Sequence, residues 1–318
     1  MTEELETSIK QRLGEAENIL ITAHIRPDGD AVGSLLGLGL ALKDAGKNVQ
    51  MALVDGLPSV FRHLEGSELV CKIPEGTIDT FIVVDCADFG RVHKDLQIYG
   101  QPDLNIDHHI TNEKYAKLNL VEAESVATAS ILTEHLPAWG LEITPPIAAA
   151  LLTGLIMDTL GFRTTNMTPK ALRQAATLME TGIDLPDLYY RAMVSRSFKA
   201  MRYWGMGLFN LERDGQIVWA TLSLKDRKAV GYHGNDDADL INILSSIEKS
   251  PVALIFVEQP NETVKVSWRV RGTVFDVAKV AAHFGGGGHR AAAGATIQGH
   301  LDEIKPRVLG VTREMLEL

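Results

Sequence analysis

The chain has little cysteine, no long apolar run and no basic tract. Its 318 residues hold two cysteines, Cys71 and Cys86, which stand alone with no CxxC pair and no zinc-ligand spacing. A disulfide scaffold and a zinc ribbon are therefore excluded, and both residues read as reduced, half-buried thiols. No apolar stretch reaches the ~18 residues of a membrane span. The opening MTEELETSIKQRL is acidic and amphipathic and lacks a signal peptide's apolar centre. Both absences predict a cytoplasmic protein with no membrane partner. Lys and Arg number 31 against 41 Asp and Glu, a net charge of −10, which excludes broad charge-driven binding of duplex DNA. It does not exclude a small phosphate-bearing substrate, because bound divalent cations make a cleft locally positive.

What is present is ordinary globular composition, 45% hydrophobic and 23% charged. At ~150 residues per domain the length predicts two domains, each with its own core. Leu5, Ile9 and Leu13 mark one face of a helix over 4–16. Apolar runs at 18–24, 48–54, 80–85, 104–107 and 117–121 read as buried strands, and 31–45 as a helix ended by Gly46. This alternation predicts an α/β fold: a mainly parallel sheet followed by a smaller C-terminal α/β domain. Residues 126–194 read as helical, with Thr168-Pro169 as a helix start. A further helical stretch from Ser197 breaks at Arg213-Asp214-Gly215. We place domains at 1–195 and 215–318, joined by a helical connector at 196–214. Beyond it we expect strands at 216–223, 252–257 and 263–270, with a hairpin around Pro260-Asn261, and helices at 237–248 and 274–284.

Polar residues cluster just past the strand ends, where α/β sheets gather ligands. His24-Ile25-Arg26-Pro27-Asp28-Gly29-Asp30 offers an imidazole and two carboxylates around a Pro/Gly bend. Such donors suit a borderline-hard ion such as Mn²⁺. Pro-Asp-Gly is also a common turn, and Asp30 suits a helix N-cap. Asp85 closes TFIVVD, and Asp107-His108-His109 closes another short strand. Adjacent histidines on extended chain point apart, so one suits a metal and the other a substrate. Asp158 ends an apolar helical run and needs a partner there. Together His24, Asp28, Asp30, Asp85, His108 and Asp158 would supply two divalent ions, the usual clamp for displacement at phosphorus. Gly285–Gly288 with His289 follows a helix but is no Walker motif, since no GK[ST] follows. Its glycines permit close backbone approach to a phosphate. Arg269 and Arg271 suit phosphate, while Trp268 alternates with them and reads as core.

HIRPDGDAVGS, VVDCAD, DHH and TGLIMDT, in that order, resemble the DHH phosphoesterase superfamily, and SWRVRG with FGGGGHRAAAG resembles its associated C-terminal domain. The two-domain form resembles the NrnA-like group of oligoribonucleases. The resemblance implies a two-metal phosphodiesterase, usually with Mn²⁺, that cleaves 2–5-mers of RNA or DNA to 5′-mononucleotides. It also implies activity on 3′-phosphoadenosine 5′-phosphate (pAp) and a homodimer; the alternative is the same chemistry on another substrate, as a pAp phosphatase or a hydrolase of linear pApA. It places His24 and Asp28 on one ion, Asp30 and His108 on the other, and Asp85 and Asp158 between them. Asp107 would orient the histidines, and His109 would contact the scissile phosphate. Arg269, His289 and the Gly286, Gly287 and Gly288 backbone would hold the substrate's far end, so that a cleft between domains selects short substrates. Met157, Leu160 and Val270 depart from the family pattern without removing a ligand. A catalytically dead nucleotide sensor is the remote alternative.

Overall fold

A computed structural model describes residues 3–272 and 274–318. The chain divides after Ser195 into two units. In the first, helix α1 (Glu3–Glu15) buries Ile9 and Leu13 and leads into strand β1 (Asn18–Thr22). Helix α2 (Gly29–Asp44) follows, then β2 (Asn48–Ala52), β3 (Val70–Cys71), β4 (Thr80–Val84), the short helix α3 (Lys94–Gln97), β5 (Leu104–Asp107) and β6 (Leu118–Val121). Four helices come next: α4 (Thr128–Ala138), α5 (Pro145–Asp158), α6 (Pro169–Met179) and α7 (Leu185–Tyr189), the last running into a π-helical turn, Tyr190–Val194.

All pairings in this sheet are parallel, in the order β3-β2-β1-β4-β5-β6. The order reverses between β1 and β4, so a crevice opens at their carboxyl ends, where ligands bind in such sheets. All five residues of β4 are buried, as expected of a strand covered on both faces. Asp28, not Asp30, caps α2: its carboxylate accepts from the amides of Asp30 and Ala31, both at 3.1 Å. Thr168 caps α6 with Pro169 in its first turn, as read from the sequence.

Helices α2 and α5 pack backbone to backbone. A Cβ on Gly33 would lie 2.5 Å from the Ala150 carbonyl, and one on Gly154 would lie 2.8 Å from Asp30 Oδ1. Glycine at these two positions brings the helices close enough for both to contribute ligands.

The second unit contains α8 (Phe198–Phe209), β7 (Glu212–Asp214), β8 (Ile217–Leu222), α9 (Leu224–Val230), α10 (Leu240–Leu244), β9 (Val252–Gln259), β10 (Thr263–Val270), α11 (Val277–His283), β11 (Gly287–His289), β12 (Ala292–Gln298) and α12 (Leu301–Leu316). Its sheet runs β11-β12-β10-β9-β8-β7, antiparallel except for β8–β9. The segment read as a connector is an integral part of this unit. Tyr203 of α8 is fully buried in its core, and β7 pairs with β8 across Gly215. The β9–β10 hairpin turns through Asn261 and Glu262, both left-handed. Helix 237–248 shrinks to α10, because Asp239 before it is left-handed and Asp237 caps the Ile241 amide. Trp268 is fully buried, and its indole N–H donates to Thr312 Oγ1 of α12 at 3.1 Å.

Candidate metal centre

Strand β4 ends at Val84, and Asp85 then takes a left-handed conformation with φ of 51°. Such backbone costs about 1–3 kcal/mol at a non-glycine residue and persists where the surroundings enforce it. The turn directs the Asp85 carboxylate, itself buried, between two histidines. Its Oδ2 faces His24 Nε2 at 3.7 Å, and its Oδ1 faces His108 Nε2 at 3.7 Å. The sequence-predicted ligands meet here in two sets. His24, Asp28 and Asp85 form one, and Asp30, His108 and Asp158 form the other. Asp85 also lies beside His108 and His109 in a third grouping.

The separations fit a cation. His108 Nε2 stands 3.9 Å from Asp30 Oδ2 and 3.7 Å from Asp158 Oδ2. These gaps are too long for hydrogen bonds, and they match donor atoms arranged around an ion at metal–ligand distances of ~2.1 Å. The tautomers fit as well. His24 Nδ1 donates to the Ile25 carbonyl at 2.9 Å and His108 Nδ1 to the Ser125 carbonyl at 3.3 Å. Each Nε2 is therefore turned toward the carboxylates, the usual arrangement of a metal-ligating histidine.

The charges fit too. Burial, then the nearby Asp85 and Asp158 carboxylates, raise the Asp30 carboxyl well above its ordinary range. Burial, Asp85 and Asp28 push Asp158 up to about 8. Burial works the other way on Asp85, but the nearby His24 imidazole and the charges of His108 and His109 outweigh it and hold Asp85 low. Crowded carboxylates of this kind favour a bound cation. Asp28 and Asp158 have side chains 62% and 31% exposed, which leaves one side of the group open to solvent.

Asp107 is fully buried and accepts from His109 Nδ1 at 2.6 Å. Burial lowers the His109 pKa, but the Asp107 hydrogen bond and the charges of Asp85, Asp107 and Asp158 outweigh it and push it up to about 9. Asp107 thus favours the charged form of His109.

The sequence reading missed the groups that hold Asp30. The first amides of α4 reach it: Thr128 N donates to Oδ2 at 2.6 Å and Ala129 N to Oδ1 at 2.9 Å. Thr128 Oγ1 donates to Asp85 Oδ1 at 3.0 Å. The signal was there, because α4 has Ala127 at its N-cap and no side-chain cap of its own. A buried helix start without a local cap needs an acceptor from elsewhere.

In the second unit, Arg269, Ala292 and His289 occupy one row across β10, β12 and β11. Arg269 is half-buried, and its Nη1 donates to the Trp268 carbonyl at 3.1 Å. Burial lowers its pKa, against the charges of Asp237 and Asp239. The His289 side chain lies outside the described residues. The Gly286 amide does not face a ligand: it donates to Ala281 O at 2.9 Å and closes α11 together with left-handed Gly285. Gly286 and Gly288 instead allow close packing on β12, where a Cβ would lie 2.2 Å from the Gly294 carbonyl and 2.5 Å from the Ala292 carbonyl, respectively. Only Gly287 of the three faces open space.

The model of the DHH family N-terminal domain matches residues 18–155, and that of the DHHA1 domain matches residues 217–314. The "Bifunctional oligoribonuclease and PAP phosphatase NrnA" of Thermus thermophilus is 38% identical, over 94% of this chain and 90% of that protein. The protein of the same name from Bacillus subtilis is 24% identical, over 92% and 93%. The crystal structure of an exopolyphosphatase-related protein from Bacteroides fragilis superposes with a TM-score of 0.91 at 24% identity, covering 99% of this chain and 96% of that one. Two domain matches in the family's order, and a relative alike over nearly its whole length, carry the assignment: the chain belongs to the DHH family of phosphoesterases.

Proposed function

We propose that this phosphoesterase hydrolyses short oligonucleotides of 2–5 residues to 5′-mononucleotides and converts pAp to AMP. The observation that supports it most is Asp85, whose two carboxylate oxygens face two different histidines, each with its own further carboxylates. That arrangement suits a pair of divalent ions sharing one carboxylate. His24, Asp28 and Asp85 would hold one, and Asp30, His108, Asp158 and Asp85 the other, with Mn²⁺ the preferred metal. When bound, such ions lower the pKa of the attacking water and neutralise charge on phosphate oxygens.

The chain's own groups do the rest. His109, its charged form favoured by Asp107, holds a non-bridging oxygen of the scissile phosphate. Thr128 and the start of α4 fix Asp30 and Asp85, so little reorganisation is needed when substrate arrives. Arg269, with the Gly287 backbone and His289, holds the far phosphate or nucleotide. The curated relatives carry both activities in their names, so pAp and short RNA are read here as substrates of one site. The working form is a homodimer, and the location is the cytoplasm. Among the described residues no helix is long and apolar enough to cross a membrane.

The test compares turnover of pAp, pApA, a three-mer RNA and a 20-mer RNA, with Mn²⁺ and with chelator. Metal-dependent turnover of pAp and the short oligomers, with little on the 20-mer, is expected. Preference for the 20-mer overturns the size limit, and equal turnover in chelator overturns the metal centre.

A further inference from the structure

Three side chains outside every ligand motif, Asn105 buried and Asn112 and Tyr115 half-buried, converge behind the centre. Asn112 Nδ2 donates to Asp107 Oδ2 at 2.6 Å and to Asn105 Oδ1 at 2.8 Å. Its Oδ1 accepts from the Lys114 amide at 2.7 Å, which fixes which way the amide points. Asn105 Nδ2 donates to Tyr115 Oη at 3.0 Å, and the Tyr115 hydroxyl donates to the Cys86 carbonyl at 2.8 Å. Both asparagine amides also lie 3.3 Å from that carbonyl. The ring of Tyr115 packs on Phe89 with centroids 5.4 Å apart.

Both ends of this relay matter. One end is Asp107, the carboxylate that receives His109 Nδ1. The other is the carbonyl of Cys86, which follows the left-handed Asp85 directly. A single chain of hydrogen bonds thus joins the end of β4 to the end of β5. Each asparagine amide reaches three acceptors, Asn105 Nδ2 also meeting the Val83 carbonyl at 3.2 Å, so the two turns are tied together at several points.

We propose that Asn112 is a positioning residue: it orients Asp107 so that His109 faces the substrate, and with Asn105 and Tyr115 it locks the turn that aims Asp85. The inference rests on the phosphoesterase reading of His109. It makes Asn112 act on turnover rather than on substrate affinity, because its contacts all lie behind the reacting groups. Asn112→Asp keeps the shape, removes the donor and sets a second carboxylate against Asp107. Loss of such an outer partner costs about 10–100-fold in activity.

The test pairs kinetics with nuclear magnetic resonance of the metal-free full chain. Asn112→Asp is expected to lower kcat about 10–100-fold with KM within about threefold. The exchange-protected His109 Nδ1 proton of the wild-type protein is expected to disappear. Tyr115→Phe keeps the ring packing and removes only the last link, so a smaller kcat loss at unchanged KM is expected; it also serves should Asn112→Asp fail to fold. An unchanged kcat in both variants overturns the proposal. So does a lowered kcat with the His109 proton undisturbed, since Asn112 would then act by another route. The proton measurement needs no substrate, so it stands even if the proposed substrates are wrong.

Discussion

In the first unit every strand pairing is parallel, and His24, Asp85 and Asp107 all sit at the carboxyl ends of strands. In the second, all pairings but one are antiparallel, and Arg269 lies inside a strand whose alternate residues Trp268 and Val270 are buried. The first arrangement gathers buried carboxylates that repel one another until a cation joins them. The second sets a cation on a sheet face and brings glycine backbones close to a neighbouring strand. Catalytic power in the first unit should therefore depend on charge, and substrate hold in the second on shape and one arginine.

The strongest break of that comparison is Asp85→Ala. Turnover should fall by on the order of a thousandfold or more, as when a principal catalytic group is removed. The metal-free protein should remain folded in chelator by circular dichroism: the change relieves the repulsion on Asp30 and Asp158 but leaves Thr128 Oγ1 and the two histidines without their carboxylate. Retained turnover would remove the shared carboxylate from the mechanism. Next comes Gly154→Ala. Its Cβ would lie 2.7 Å from Ala129 Cβ and 2.8 Å from Asp30 Oδ1. Such overpacking costs about 1–3 kcal/mol, and Mn²⁺ affinity by calorimetry should fall with it. Gly14→Ala, where nothing lies within 4 Å, should be neutral or stabilising by up to about 1 kcal/mol. Equal behaviour of the two variants would mean that helix approach does not set the ligand geometry.

These contrasts also explain what the sequence made legible. Apolar strands that end in His or Asp are visible along the chain, so the six metal-ligand candidates and the parallel sheet could be read directly. Asp30 was weighed as a cap because capping is judged locally, yet Asp28 caps α2 and Asp30 serves the start of α4, 98 positions away. Asn112 and Tyr115 carry no signal, since a polar residue in a loop looks the same whether it is solvated or bonded to a buried carboxylate or carbonyl. The glycine run was read as a phosphate cradle. Gly286 turns out to close a helix, a use that depends on where α11 ends. Helix α12 buries Ile304, Val308 and Leu316 along one face, but Pro306 inside it hides the helix from a local reading of the sequence.

A milder effect is expected at Arg269. Arg269→Ala should raise KM several-fold with kcat little changed, if the guanidinium binds ground state and transition state alike. Its closest described hydrogen-bond acceptor is a carbonyl of its own strand, so the fold should tolerate the change. A fall in kcat at unchanged KM would place Arg269 in the reaction rather than in substrate hold.

The smallest effect tests whether buried charge in the first unit matters away from the centre. His135 of α4 is buried; its Nε2 lies 3.0 Å from Glu122 Oε1 and its Nδ1 lies 3.4 Å from Glu6 Oε1 of α1. Burial lowers its pKa, but Glu122, Glu6 and Glu134 outweigh that and raise it from 6.5. The His135 hydrogen bond, against burial, lowers Glu122 from 4.5. A raised histidine contributes stability that is fully present below its unfolded value and fades as pH rises through its folded one. A lowered carboxyl contributes above its unfolded value and fades as pH falls. The pair is therefore strongest between the two unfolded values, 4.5 and 6.5. His135→Gln should lose about 1–2 kcal/mol near the middle of that window, and the gap to wild type should narrow as pH rises through the raised folded value of His135. Lys170 pairs with Glu134 in both proteins and does not change the sign. A melting-temperature gap that stays flat with pH would show that His135 contributes by stacking on Trp139 rather than by charge.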